Sequence, residues 1–204
     1  MGRLVDGEWH SGQSFANASG QFVRQTSSFR ERITADGGSE FPAEAGRYHL
    51  YVARACPWCR RALIYRALKK LEGIVSVSYV EPLMLDEGWV FPQPDPLTGV
   101  RRVYELYRRA DPRYTGCTTV PVLWDKATGR IVNNESSDII RMFNSAFDAL
   151  TGTRELHQMP GIAETIAIDE CKTHHYGSHR HINPTGIVPI GPMLDFTTPH
   201  GREE

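Results

Sequence analysis

Four residues, Cys56-Pro57-Trp58-Cys59, stand between two runs of opposite character. The run before them, Arg47–Ala53 (RYHLYVA), alternates and is rich in β-formers, the pattern of a strand. After them, from Pro57 to about Leu71, apolar residues recur at Ala62, Leu63, Ala67, Leu68 and Leu71. Pro57 suits the first position of a helix, and the spacing is helical. Gly73 is the expected stop, and Ile74–Val80 (IVSVSYV) reads as a second strand. Strand, helix and strand within ~35 residues make a βαβ unit, whose crossover is nearly always right-handed.

The rest of the organised region extends this unit. A Pro/Gly-rich loop covers Glu81–Thr98, and Val103–Ala110 predicts a short helix. Val120–Asp125 and Arg130–Asn133 read as strands joined by a turn at Ala127–Gly129, and Ser136–Leu150 as a closing helix. The order β-α-β-(α)-β-β-α, ending on a hairpin and a helix, is an α/β, thioredoxin-like order. Three parts follow: an arm at 1–46, an organised domain at 47–150, and a distinct stretch at 151–204. The arm is polar and loop-rich, without a sustained period. Its aromatics Trp9, Phe15, Phe22, Phe29 and Phe41 are too many for a solvated tail, so they are expected to dock on the domain. In the last part Pro160–Cys171 is a candidate helix, and the remainder is rich in His, Gly and Pro.

Composition excludes several function classes. The 204 residues carry 23 Lys+Arg against 24 Asp+Glu, a net charge of −1, so no global positive field holds a nucleic-acid backbone or an anionic membrane. No apolar run approaches a membrane span, and the first residues lack the apolar core of a secretory signal. The expected compartment is the cytoplasm. There, four cysteines are more readily explained as reactive or buried thiols than as a disulfide framework.

The chemistry concentrates at Cys56. A thiol opening a helix faces unpaired N–H groups and the positive end of the dipole, and both favour the thiolate. CxxC alone is weak, since half of a zinc ribbon looks the same; a strand before it and a helix after it turn it into a redox motif. Cys59, about one turn in, is expected to be the more buried. Val120-Pro121 is the second element: in a thioredoxin-like fold this Pro is cis and faces the reactive Cys, and Val120 offers its backbone to an extended ligand. Asn133-Asn134-Glu135-Ser136 is the third. It opens the last helix, where N–H groups bind a carboxylate and Glu135 can take an ammonium. An empty helix cap explains that segment equally well. Trp89 lies in a loop that either covers the cleft or plugs the core. The His-rich run from Cys171 to His181 invites a metal, yet no closed set of ligands is evident. We expect none.

The segments GRYHLYVARACPWCRRALIYR, GWVF, TGCTTVPVLWDKATGRIVNNESSDIIRMFNSAFD and PGIAETIAIDECKTHHYGSHRHINPTGIVPIGP resemble the glutathionyl-hydroquinone reductases, the Xi class of the glutathione transferase superfamily. The resemblance implies a thioredoxin-like domain followed by an all-helical one, of which 151–204 would be a short remnant. It implies glutathione as co-substrate and a glutathionylated aromatic as second substrate, with a homodimer as the expected assembly. Cys56 becomes the nucleophile that forms a mixed disulfide with glutathione. Trp89, Cys117, Thr118, Thr119, Val120, Glu135 and Ser136 become glutathione contacts, and Tyr176 a candidate pocket residue.

Three departures from the family stand out. Cys59 occupies a place usually held by Ala or Ser, which makes it a candidate resolving thiol. Cys117 stands where Arg is frequent. The helices that in the family separate the segment ending near Leu150 from Pro160 are missing, and with them most of the aromatic pocket. Two functions are therefore expected from the resemblance. One is a glutathione-dependent thiol reductase. The other is a shortened product that binds glutathione without turnover.

Overall fold

The computed structural model describes residues 2–12 and 26–153. The candidate helix at 160–171, the His-rich run, Tyr176, Phe15 and Phe22 lie outside them.

A four-stranded sheet forms the centre. It contains β5 (Tyr48–Ala53), β6 (Ser76–Val80), β8 (Val122–Asp125) and β9 (Arg130–Asn133), in the order β6-β5-β8-β9. β5 and β6 are parallel; β5–β8 and β8–β9 are antiparallel. Every residue of β5 is buried. Side chains alternate between the two faces of a strand, so both faces of β5 are covered. Helix α1 (Pro57–Leu68) crosses from β5 to β6 and packs against α3 (Ser136–Ser145), while α2 (Val103–Ala110) packs against β9. This is the thioredoxin-like arrangement expected from the element order.

The helix ends differ from expectation in instructive ways. Helix α1 stops at Leu68 rather than near Leu71. Lys70 adopts a left-handed conformation (φ 55°). The Leu71 N–H then reaches the Arg66 carbonyl (2.8 Å) and the Lys70 N–H the Ala67 carbonyl (3.0 Å), a Schellman closure. Leu71 is fully buried, so its side chain holds the turn that a glycine would otherwise make; Gly73 is not the stop. The expected helix over 136–150 is broken after Ser145, and a short α4 (Asp148–Thr151) follows. At the break, the fully buried Lys69 donates to the Asn144 carbonyl (2.6 Å) and pairs with Asp148 (2.5 Å).

The arm is more ordered than a loop-rich reading allows. Its first residues form a hairpin of β1 (Gly2–Val5) and β2 (Glu8–Ser11), which β7 (Gly116–Cys117) joins along β1. The turn is Asp6-Gly7, both with positive φ (49° and 79°), as a tight two-residue hairpin turn requires. Two further short strands, β3 (Ile33–Thr34) and β4 (Phe41–Pro42), pair in parallel. The arm's aromatics dock as expected where they are described. Trp9 stacks on Tyr104 (4.7 Å between rings) and donates to the Asp86 carbonyl (2.9 Å). Phe41 is fully buried. Phe29 packs on Tyr107 and Tyr114, with ring distances of 5.7 and 5.5 Å.

The arm also covers a sheet edge. Glu31 N–H donates to the Val132 carbonyl (3.0 Å), and Asn134 N–H to the Phe29 carbonyl (3.1 Å). An uncovered edge invites pairing with another chain; here residues 29–31 occupy the backbone groups beside β9.

Candidate functional site

Cys56 caps α1 in an extended conformation, and Pro57 takes the first helical turn. That turn presents its N–H groups to the sulfur because Pro57 supplies no competing donor and its ring fixes the entering φ. The thiol is held below its ordinary pKa. The largest cause is the hydrogen bond with the Cys59 side chain; burial opposes it, and the N–H groups of Cys59 and Trp58 and the charge of Arg61 add to it. Cys59 is pushed well above its ordinary value, first by burial and then by the hydrogen bond with, and charge of, Cys56. One sulfur is thus half-buried in surroundings that favour its thiolate, while the other is fully buried in surroundings that favour its thiol. The Cys59 sulfur accepts from the Ala53 N–H (3.5 Å) at the end of β5.

The segment before β8 comes up against Cys56. The Val120–Pro121 peptide is cis. The Cys56 thiol lies 3.6 Å from the Val120 carbonyl oxygen, across 64 residues of sequence. Thr119 is exposed, Thr118 and Val120 are buried, and Cys117 is half-buried in β7 opposite Arg3. Burial raises the Cys117 thiol's pKa, and the charge of Arg3 opposes that rise. Its carbonyl accepts from the Tyr114 hydroxyl (3.1 Å).

At the other end, Glu135 caps α3. Its carboxylate accepts from the Ser137 N–H (3.4 Å) and from the Ser27 hydroxyl of the arm (3.0 Å). Ser136 opens the helix. Its hydroxyl is buried and has no hydrogen-bond partner among the described residues. Trp89 is 9% exposed within the core, and its carbonyl accepts from Val103 N–H (2.9 Å) at the start of α2. Its side chain packs with the buried core cluster.

Sequence reading missed the group that joins these segments. Tyr107, on α2, is fully buried. Its hydroxyl donates to the Thr119 carbonyl (2.8 Å) and accepts from the Thr119 N–H (3.1 Å) and the Asn134 side-chain amide (3.0 Å). The loop before Pro121 and the start of α3 are therefore held by one phenol. Burial pushes that phenol far above its ordinary pKa, so it stays protonated and keeps its donor. The only sequence signal was an apolar period on α2 that placed Tyr107 on the inner face.

Among the described residues no cluster of His, Cys, Asp and Glu could hold a metal ion, and no helix is long and apolar enough to cross a membrane. The arrangement instead suits thiol–disulfide chemistry. It has a thiol of lowered pKa at a helix start, a backbone carbonyl and a cis-proline beside it, and a polar helix N-terminus linked through Tyr107.

Known proteins share this arrangement at several levels. The family model for the glutathione S-transferase N-terminal domain matches residues 55–146. Glutathionyl-hydroquinone reductase YqjG of Escherichia coli K12 is 35% identical over 324 aligned positions that take in 100% of this chain and 99% of the relative. An alignment longer than the 204-residue chain, yet covering both proteins nearly end to end, leaves the relative's extra residues opposite internal gaps. The Xi-class transferase from Natrialba magadii superposes with a TM-score of 0.73 at 41% identity, over 86% of this chain and 54% of that one. The glutathione-bound structure of YqjG gives a TM-score of 0.68 at 45% identity, over 86% and 55%. The chain thus spans about half the length of the solved chains it matches. Motif, fold and end-to-end similarity agree: the chain belongs to the Xi-class glutathione transferases, the family of the glutathionyl-hydroquinone reductases.

Proposed function

We propose that this protein is a glutathione-dependent thiol reductase acting on glutathionyl-hydroquinones, with Cys56 as nucleophile. The Cys56 thiolate attacks the sulfur of the glutathionyl group. The aryl carbon–sulfur bond breaks, the carbon takes a proton, and the hydroquinone leaves. A Cys56–glutathione disulfide remains. A second glutathione thiolate attacks that disulfide, releases oxidised glutathione and restores the Cys56 thiolate.

The observation that carries this reading is the thiol at the start of α1, 3.6 Å from the Val120 carbonyl beside a cis-proline. Such a backbone pairs with an extended tripeptide, and the lowered pKa supplies the thiolate. The buried Ser136 hydroxyl, unpartnered among the described residues, and the N–H groups opening α3 suit the carboxylate of a γ-glutamyl group. Glu135, oriented by Ser27, suits its ammonium. Cys117, Thr118, Thr119 and Val120 line the peptide's path in this reading. Trp89 joins them as a glutathione contact in this reading. The bound glutathione of the Escherichia coli relative points the same way.

The experiment is hydroquinone release from a glutathionyl adduct by the full chain and by Cys56→Ser. Wild type should turn over and the variant should lose at least about a thousandfold, the scale of losing a covalent nucleophile. Equal rates would remove Cys56 from the mechanism.

One observation favours a second reading, binding without turnover: the relative's internal residues that have no counterpart here. In that case wild-type protein exchanges with oxidised glutathione to give the Cys56 adduct and one reduced glutathione, but releases no hydroquinone from the glutathionyl adduct.

A further inference from the structure

We infer that Cys59 is a resolving thiol: it attacks Cys56 once Cys56 carries glutathione, and closes a Cys56–Cys59 disulfide. The inference rests on the Cys56 reading and adds a second, internal route to the cycle. That route makes the reduced protein a two-electron donor towards glutathionylated and disulfide substrates without a second glutathione in the cleft.

Three observations place the two sulfurs for this step. Cys56 is the N-cap of α1 and Cys59 the third helical residue, so both side chains face the same side of the first turn. Each thiol acts on the other's pKa: Cys59 helps to lower that of Cys56 and, after burial, Cys56 raises that of Cys59. And Cys59 is 0% exposed, held from behind by the Ala53 N–H. Dissolved glutathione cannot reach such a sulfur. The electrophile it can meet is a disulfide sulfur on Cys56, its neighbour on the first turn of α1.

The step balances. The Cys59 sulfur attacks the Cys56 sulfur, the Cys56–glutathione bond breaks, and the departing glutathione thiolate takes the proton that Cys59 gives up. The products are the internal disulfide and one reduced glutathione. Two further glutathione molecules return both cysteines to thiols and leave as oxidised glutathione, so the electron count equals that of the direct route. The different environments of the two sulfurs set the order of events. Half-buried Cys56 meets the substrate, and Cys59 acts only after the adduct exists.

The test uses the full chain, reduced and then mixed with a stoichiometric amount of oxidised glutathione. Aliquots are quenched in acid, alkylated, and examined by intact mass and peptide mapping. Wild type should lose two hydrogens, link the Cys56 and Cys59 peptides, and retain no glutathione. Cys59→Ala and Cys59→Ser should keep one glutathione on Cys56, with an adduct lifetime at least about tenfold longer than in wild type, because an intramolecular thiol acts at high effective concentration. Two substitutions of different polarity, each checked for a cooperative melt, separate chemistry from misfolding. An adduct as long-lived in wild type as in both variants overturns the inference and leaves the Cys56 reading standing. Glutathione found on Cys59 in Cys56→Ser overturns the burial argument. No adduct on Cys56 in any form overturns both readings.

Discussion

The Tyr107 hydroxyl donates to the Thr119 carbonyl, accepts from Thr119 N–H and the Asn134 amide, and lies 3.4 Å from the Thr119 hydroxyl. It touches neither Cys56 nor the reacting atoms in the proposed cycle, so it is a positioning residue. Tyr107→Phe would keep the ring's packing but leave a buried amide and the Thr119 backbone unpaired, a cost of about 1–3 kcal/mol. The expected kinetic signature is a several-fold rise in KM for glutathione with a smaller change in kcat. The alkylation rate of Cys56 should stay as in wild type, since the N–H groups and the Cys59 contact that favour its thiolate are elsewhere. A variant that melts earlier with KM unmoved would reduce Tyr107 to a structural role. The cysteines were legible before folding because their chemistry comes from the helix they open. Tyr107 was not, because its role depends on two segments that only the folded chain brings to it.

At the scale of elements, the arm acts as a strap. Residues 29–31 lie along the edge of β9, and Phe29 packs on both Tyr107 and Tyr114. Ser27 then reaches Glu135 at the start of α3. Phe29→Ala should cost about 2 kcal/mol, below the ~3–5 kcal/mol of a fully buried aromatic, because Phe29 is only half-buried. A urea titration should show the midpoint lowered at unchanged slope. An unchanged midpoint would mean that the strap is ornamental. Several elements were readable in advance: α2 and β9 have the predicted bounds, and α1 starts at Pro57. The arm's hairpin was missed although Asp6-Gly7 is a strong turn signal. Its strands are four residues each, too short to show a period, and β1's outer partner, β7, lies more than a hundred residues away. The break after Ser145 was also hidden, because the apolar spacing runs on through Phe147 while a lysine from the end of α1 takes the Asn144 carbonyl.

At the scale of the whole molecule, the question is whether the site exists before glutathione arrives. The core is continuous from the arm through the sheet to Phe143 and Phe147. The surface retains Ile64 and Leu68 on α1, each about half-exposed, and Leu150. A preformed site predicts one cooperative thermal transition that glutathione raises. At a hundredfold excess over Kd the gain is about 2.7 kcal/mol, several degrees for a domain of this size. A cooperative melt that glutathione leaves unmoved would count against both proposed readings, since each requires binding.

The sequence by itself determined the local chemistry and the order of the elements. A helix dipole acts on the residue that opens the helix, strand and helix periods are written within a dozen positions, and an X-Pro step restricts its own neighbours. Only the tertiary structure decided that Lys69 ends α3, and that Tyr107 and the arm join the two ends of the site. Those outcomes rest on contacts between residues tens to more than a hundred positions apart. Their energies depend on mutual burial, which no window of sequence contains.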